Sequence, residues 1–245
     1  MPFGRKRRLD RSARERGVAP DVEDRHHDDE REATTGPYDV DDVAEEGPER
    51  IDFGAMLIPK SAGNDLRVSL DAKGRVVSVS IHRDGSAMQI GAYAAPRDGS
   101  VWPDLRPELA SSISSQGGAA VEGKGPFGSE LHAQLAATPE AATSAGTAAK
   151  AARAASANRR PARFIGVDGP RWFLRAVLTG PAATDEAAAA PLLETLREVI
   201  VVRGSDPRPV REALTLKLPA ELAEQFGQVA DADPDKPPSA PTITI

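Results

Sequence analysis

The chain has 245 residues, a formal net charge of −6 and only 4% aromatic residues, so its large anchoring side chains must be concentrated in few places. The lack of cysteine excludes disulfides, thiolate zinc sites, cysteine-ligated iron–sulfur clusters and a cysteine nucleophile, and it agrees with a reducing compartment. The start, MPFGRKRRLDRSARERG, has no apolar run of the secretory type, and no segment approaches the ~20 apolar residues of a membrane-spanning helix, so a cytoplasmic location is expected.

Net charge here averages unlike parts. Arg5, Lys6, Arg7, Arg8 and Arg11 open a basic block that runs on through Arg14 and Arg16. From Asp21 to Glu49 the chain turns acidic, with Asp28, Asp29, Glu30, Asp41, Asp42, Glu45 and Glu46 among its carboxylates. Segments this polar bury too little apolar area to offset the entropy of ordering, so residues 1–48 are expected to form a disordered charged tail.

Order is expected to begin at 49 and to continue to 226 as a single α+β domain. IDFGAMLIP supplies the first apolar run, from Ile51. Alternation of Leu66, Val68 and Leu70, then Val77, Val79 and Ile81, then Met88, Ile90, Ala92 and Ala94 predicts three strands. Asp71–Gly74 and Arg83–Gly85 join them as turns, which makes an antiparallel β-meander. Leu105, Leu109 and Ile113 at four-residue spacing predict a helix starting near Pro103 or Asp104 and stopping at Gln116-Gly117-Gly118. Two short strands follow, around Ala119–Glu122 and Glu130–Leu135.

Residues 136–160 are Ala-, Thr- and Ser-rich and read as a low-complexity insertion between strands. Then comes RFIGVDGPRWFLRAVLT, two apolar runs folded about Asp168-Gly169. Its second run is apolar on both alternating faces, with Trp172, Leu174, Ala176 and Leu178 on one and Phe173 and Val177 on the other. A strand of that kind is covered on both sides, which places this hairpin at the centre of the fold. A helix from about Asp185, a strand at Val199–Val202 and a last strand at Leu214, Leu216 and Leu218 complete the domain, with PAELAEQF as a further helical turn and 227–245 as a disordered tail. The expected class is α+β, an antiparallel sheet carrying a meander and a central hairpin, with helices packed on it.

Chemistry-bearing motifs are weak. Gly118 to Lys124 has P-loop spacing, but Gly125 stands where Ser or Thr should hold magnesium, and Pro126 forbids the required helix. His26-His27-Asp28-Asp29 sits in the polar tail, and His82 and His132 are single strand histidines, so no metal ligand set is assigned. There is no Gly-x-Ser-x-Gly elbow and no paired carboxylates on ordered elements, so no catalytic residue and no cofactor are assigned. Arg97, Trp102, Arg163, Arg171 and Trp172 are the candidate binding residues, a basic and aromatic surface for an anionic ligand. Their structural reading is that arginines pair with carboxylates or cover tryptophan edges.

The segments QIGAYAAPRDGSVWPDLRPELASSI, GKGPFGSEL, RFIGVDGPRWFLRAVLTG and VIVVRG resemble an uncharacterised actinobacterial family, domain of unknown function 3710, over roughly Gly36 to Pro219. RFIGVDGPRWFLR is the most specific part, and the Ala-rich stretch looks longer than the family's. The family brings no activity, cofactor or catalytic residue with it. The order of strands and helices is also similar to the PsbP/Mog1-like α/β/α sandwich, a type that mostly serves binding and assembly.

Three functions are therefore expected in descending order. The first is a non-catalytic protein-interaction module aided by its charged arm. The second is a nucleic-acid-associated protein using Arg5 to Arg16, and the third an enzyme or binder acting on a phosphorylated small molecule through Arg97, Arg163 and Arg171.

Overall fold

The structure is a computed structural model that describes residues 36–43, 47–71, 75–136 and 159–219, with the backbone of 242–244. The basic block, most of the Ala-rich stretch and PAELAEQF beyond Pro219 lie outside the described residues. No helix among them is long and apolar enough to cross a membrane.

The meander is the first run of longer strands along the chain. β4 (Asp65–Leu70), β5 (Val76–Arg83) and β6 (Ser86–Ala94) pair antiparallel in sequence. Asp84 and Gly85 take φ of 47° and 76°, the two left-handed positions that a two-residue hairpin matching strand twist requires. One expectation fails inside β5. A register shift opposite Ser69 and Leu70 pairs Leu70 with Val76, so Val76 is buried and Val77 stands 59% exposed. A bulge adds one residue and reverses the alternation beyond it.

Helix α1 (Trp102–Ser115) follows, with Pro103 in its first turn, where a missing N–H costs nothing. Gly117, at φ 83°, ends it. β7 (Ala119–Gly125) and β8 (Gly128–Leu135) make a second hairpin, so the Gly-rich segment lies in a strand at the sheet edge and in the turn before it. β9 (Arg160–Gly169) and β10 (Trp172–Thr179) make the third. Its turn is not centred on Asp168-Gly169 as expected. Both belong to β9, and Pro170 and Arg171 turn the chain, Arg171 at φ 61°. Proline pre-sets the first turn position, so the left-handed angle falls on the second.

Together these strands form an eight-stranded antiparallel sheet ordered β12-β4-β5-β6-β10-β9-β8-β7, where β12 is Thr242–Thr244. β10 lies inside it, hydrogen-bonded to β6 and β9. Trp172, Leu174, Ala176 and Leu178 face the main core, where they meet Leu192, Leu193 and Leu196 of helix α2 (Glu186–Arg197). Phe173 faces the other way, against Trp102 of α1. The two helices therefore cover opposite faces. Double cover reaches Phe173 but thins beyond it, where Arg175 and Val177 are only half-buried.

A second sheet was not expected from the sequence. It has four short strands in the order β1-β11-β3-β2: Tyr38–Asp39, Ile200–Val201, Met56–Pro59 and Arg50–Asp52. β1 and β11 run parallel and the other pairs antiparallel. It packs on α2's side, since Ile51, Met56, Ile58 and Val201 join the same core as Leu174. The fold is mixed α+β and predominantly sheet.

Two boundaries move. Tyr38–Asp39, within the expected tail, forms β1 of this sheet. Leu214–Leu218 is not a strand. It bridges the two sheets, with Leu214 N–H bonded to Ala92 C=O and Lys217 N–H to Phe53 C=O, each at 2.8 Å.

Candidate functional site: the hairpin tip

Trp102 and Trp172 are core anchors, 2% and 1% exposed, and cannot line an open surface. The Trp102 ring lies 5.9 Å from Phe173, centroid to centroid, and its Nε1–H donates to the Ser129 carbonyl at 2.5 Å. The indole of Trp172 donates to Asp39 Oδ2 at 2.6 Å, which satisfies its one polar atom inside the core. Two glycines make room for these rings. A Cβ on Gly166 would strike the Trp102 ring, and one on Gly169 the Trp172 ring.

Arg163 is also internal. Its side chain is 2% exposed, with Nε 2.9 Å from Oε1 of the equally buried Glu130 and Nη1 2.7 Å from Glu186 at the start of α2. Glu130 Oε1 also sits 2.9 Å from His132 Nε2. Gly123 and Gly125 of the neighbouring edge strand leave space for the His132 and Glu130 side chains. The pairing is imperfect. The Arg163–Glu130 contact lacks hydrogen-bond geometry, and among the described residues Glu130 Oε2 and Arg163 Nη2 have no hydrogen-bond partner. This cluster holds β8, β9 and α2 together.

The backbone places Arg97 on the loop next to the turn that carries Arg171. The Arg171 carbonyl accepts from Ala95 N–H at 3.0 Å, which ties the hairpin turn to the exposed loop carrying Arg97. The same carbonyl accepts from Arg203 Nε at 3.0 Å, and Arg203 Nη1 donates to the Asp206 carbonyl at 3.0 Å. Arg163 is at the other end of the hairpin, opposite Leu178. Six strand residues and the turn separate it from Arg171, roughly 20 Å.

Electrostatics set this tip apart. Arg208 is neutralised by Glu212 at 3.2 Å and Arg211 by Glu108 at 2.7 Å. Arg97, Arg171 and Arg203 form no ion pair among the described residues. Partial burial, then the Arg171 and Arg208 charges, lower the Arg203 pKa from the ordinary guanidinium value, against the opposite pull of Asp206 and Glu212. Like charges are thus held close without full compensation, which is an anion-attracting arrangement.

Other candidate chemistry is sparse. No three His, Asp or Glu side chains gather to hold a metal among the described residues. A groove of about 370 Å³ runs between Arg50–Asp52 and Lys217–Pro219, and none of the sequence-predicted site residues lines it. Arg97, Arg171 and Arg203 are far apart in sequence, and the turn's backbone bonds are what bring their segments to one place.

Fold and site define a mixed α+β domain, predominantly sheet, with a cationic hairpin tip. The family described as "Protein of unknown function (DUF3710)" matches residues 36–225, and the chain belongs to it. No curated protein and no solved structure matches the chain.

Proposed function

We propose that this domain is a protein-interaction module whose tip, Arg97, Arg171 and Arg203, captures an acidic segment of a partner, with the charged arm before Gly36 adding longer-range attraction. The observation that carries this reading is that Arg171 and Arg203 lie together at the turn, with Arg97 on the adjoining loop, and that no carboxylate is paired to any of the three among the described residues. Clustered like charges destabilise one another and are relieved by an incoming anion. Arg97 is exposed and Pro170 at the turn is exposed, so the tip suits an extended acidic chain better than a small phosphorylated molecule, which needs enclosure. Helices on opposite faces of one sheet support the PsbP/Mog1-like sandwich as the fold type, and with it a binding role.

Fluorescence anisotropy with a labelled poly-glutamate peptide tests this, alongside single-stranded DNA of equal charge. Charge reversal at Arg171→Glu with Arg203→Glu should weaken peptide binding about tenfold, since each lost pair contributes on the order of 0.5–1 kcal/mol. Raised salt should do the same. Equal binding by the variant would overturn the reading. Preference for DNA, lost on removing residues 1–35, would favour nucleic-acid association through Arg5 to Arg16 instead.

A further inference from the structure

The large sheet ends in β7, a strand whose two charges are each other's complement. β7 pairs with β8 from Ala119↔Gln134 to Gly125↔Gly128, around the two-residue turn Pro126-Phe127. A hairpin of this kind is closed by a hydrogen-bonded pair, so Gly125, Gly123 and Val121 turn their backbone groups toward β8. Ala120, Glu122 and Lys124 turn theirs outward, and among the described residues no strand pairs with them. Val121 is 69% exposed. Glu122 and Lys124 are exposed as well, with no ion pair to either among the described residues.

Charges on an edge strand guard it against indiscriminate pairing, because an arriving strand leaves them unmatched. A second copy of β7 matches them. Laid antiparallel about a two-fold axis at Gly123, Glu122 stands opposite Lys124 of the second copy, and Lys124 opposite its Glu122. Outward-facing residues meet one another only in registers two residues apart. One such step in either direction sets Glu122 against Glu122 or Lys124 against Lys124, and like charges directly opposite repel. Charge therefore selects a single register. In it Gly123 faces Gly123, Val121 meets Gly125 of the second copy, and Pro126, lacking an N–H, ends the ladder opposite Ala120.

We propose that β7 is a self-association edge, through which two copies of this chain pair β7 to β7 in the Glu122–Lys124 register and join their large sheets into one. The contact uses the same patch on both copies and closes on itself, so it yields a dimer and not a filament. Its ladder runs only from Val121 to Gly125 of each copy, so the dimer is reversible, and its exposed ion pairs make it weaken as salt rises. The charge order that favours a second copy disfavours other strands, which is specificity obtained by repulsion as well as attraction.

The test is sedimentation equilibrium of the full chain and of two variants, Glu122→Lys and Lys124→Glu. Both positions are exposed, so neither reversal disturbs the core. The native chain should dimerise. Each variant alone sets two like-charge pairs across the axis and should dimerise about tenfold more weakly. An equimolar mixture of the two variants should regain native affinity, because each chain supplies the charge that the other needs. A native chain still monomeric at about 1 mM would overturn the proposal. So would a mixture that associates no better than its components, or association indifferent to both reversals, which would place the contact on another surface. A dimer lost in Arg171→Glu with Arg203→Glu would assign it to the hairpin tip and sink the β7 edge. Amide exchange at Glu122 and Lys124 should slow as concentration rises. Slow exchange in a monomer, abolished by deleting residues 137–158, would put the Ala-rich insertion on this edge and refute self-pairing.

Discussion

At the scale of single residues, Glu130 and Arg163 combine full burial with incomplete pairing. Removing one charge strands the other in a medium that cannot solvate it. Arg163→Met should therefore cost about 3–5 kcal/mol, while Glu130→Met with Arg163→Met should recover most of that loss, measured by urea denaturation. Arg171 makes a second residue-level case. Its φ of 61° costs an L-residue about 1 kcal/mol, and glycine adopts the same angle freely. Arg171→Gly should keep or raise Tm while weakening poly-glutamate binding, so stability and binding part company at one position. His82 links folding to pH. Burial first, then the Arg67 charge, lower its pKa below 6.5, outweighing Asp65. The unfolded chain then binds the proton more readily than the folded one, so stability falls as pH drops below about 6.5 and levels off below the folded pKa. His82→Gln should flatten that part of the pH–stability curve, and an unchanged slope would exclude His82 as its source.

At the scale of elements, helix starts are fixed by two aspartates acting differently. Asp185 caps α2 from within, its Oδ1 accepting from Ala187 N–H at 2.8 Å. Asp168 caps α1 from another element, accepting from Val101 N–H at 2.7 Å and Trp102 N–H at 3.1 Å. The first can be read along the sequence as Asp before a helical run, and the second cannot, because 66 residues separate donor and acceptor. Asp185→Ala should cost about 1 kcal/mol, the usual worth of an internal cap. Asp168→Ala removes two hydrogen bonds and the tie between the hairpin and α1, so its cost should be larger, about 2 kcal/mol, read from the shift in denaturation midpoint.

At the scale of the whole molecule, the segment from Gly36 to Asp39 is structural. Asp39 supplies the buried acceptor for Trp172, and β1 closes the small sheet against β11. A chain beginning at Gly36 should match the full chain in Tm. One beginning at Glu49 should lose about 1–3 kcal/mol, the penalty of an indole N–H left unsatisfied in the core. Equal Tm values for the two would mean that the small sheet's first strand contributes nothing.

Residue order alone showed the longer strands of the large sheet, because runs such as Val76–Arg83 and Trp172–Thr179 repeat their apolar pattern often enough to be read, but it did not show Thr242–Thr244, which falls in the expected tail. It also placed α1 through four-residue spacing and its glycine stop, and α2 from about Asp185. The small sheet depended on tertiary structure, since two- and three-residue strands have no period to detect and are drawn from Tyr38, Arg50, Met56 and Ile200. Arginine in a sequence does not reveal its charge partner. Packing put Arg163 under Glu130 and Glu186, and left Arg97, Arg171 and Arg203 at one hairpin end, because burial and register assign partners that neighbours along the chain do not.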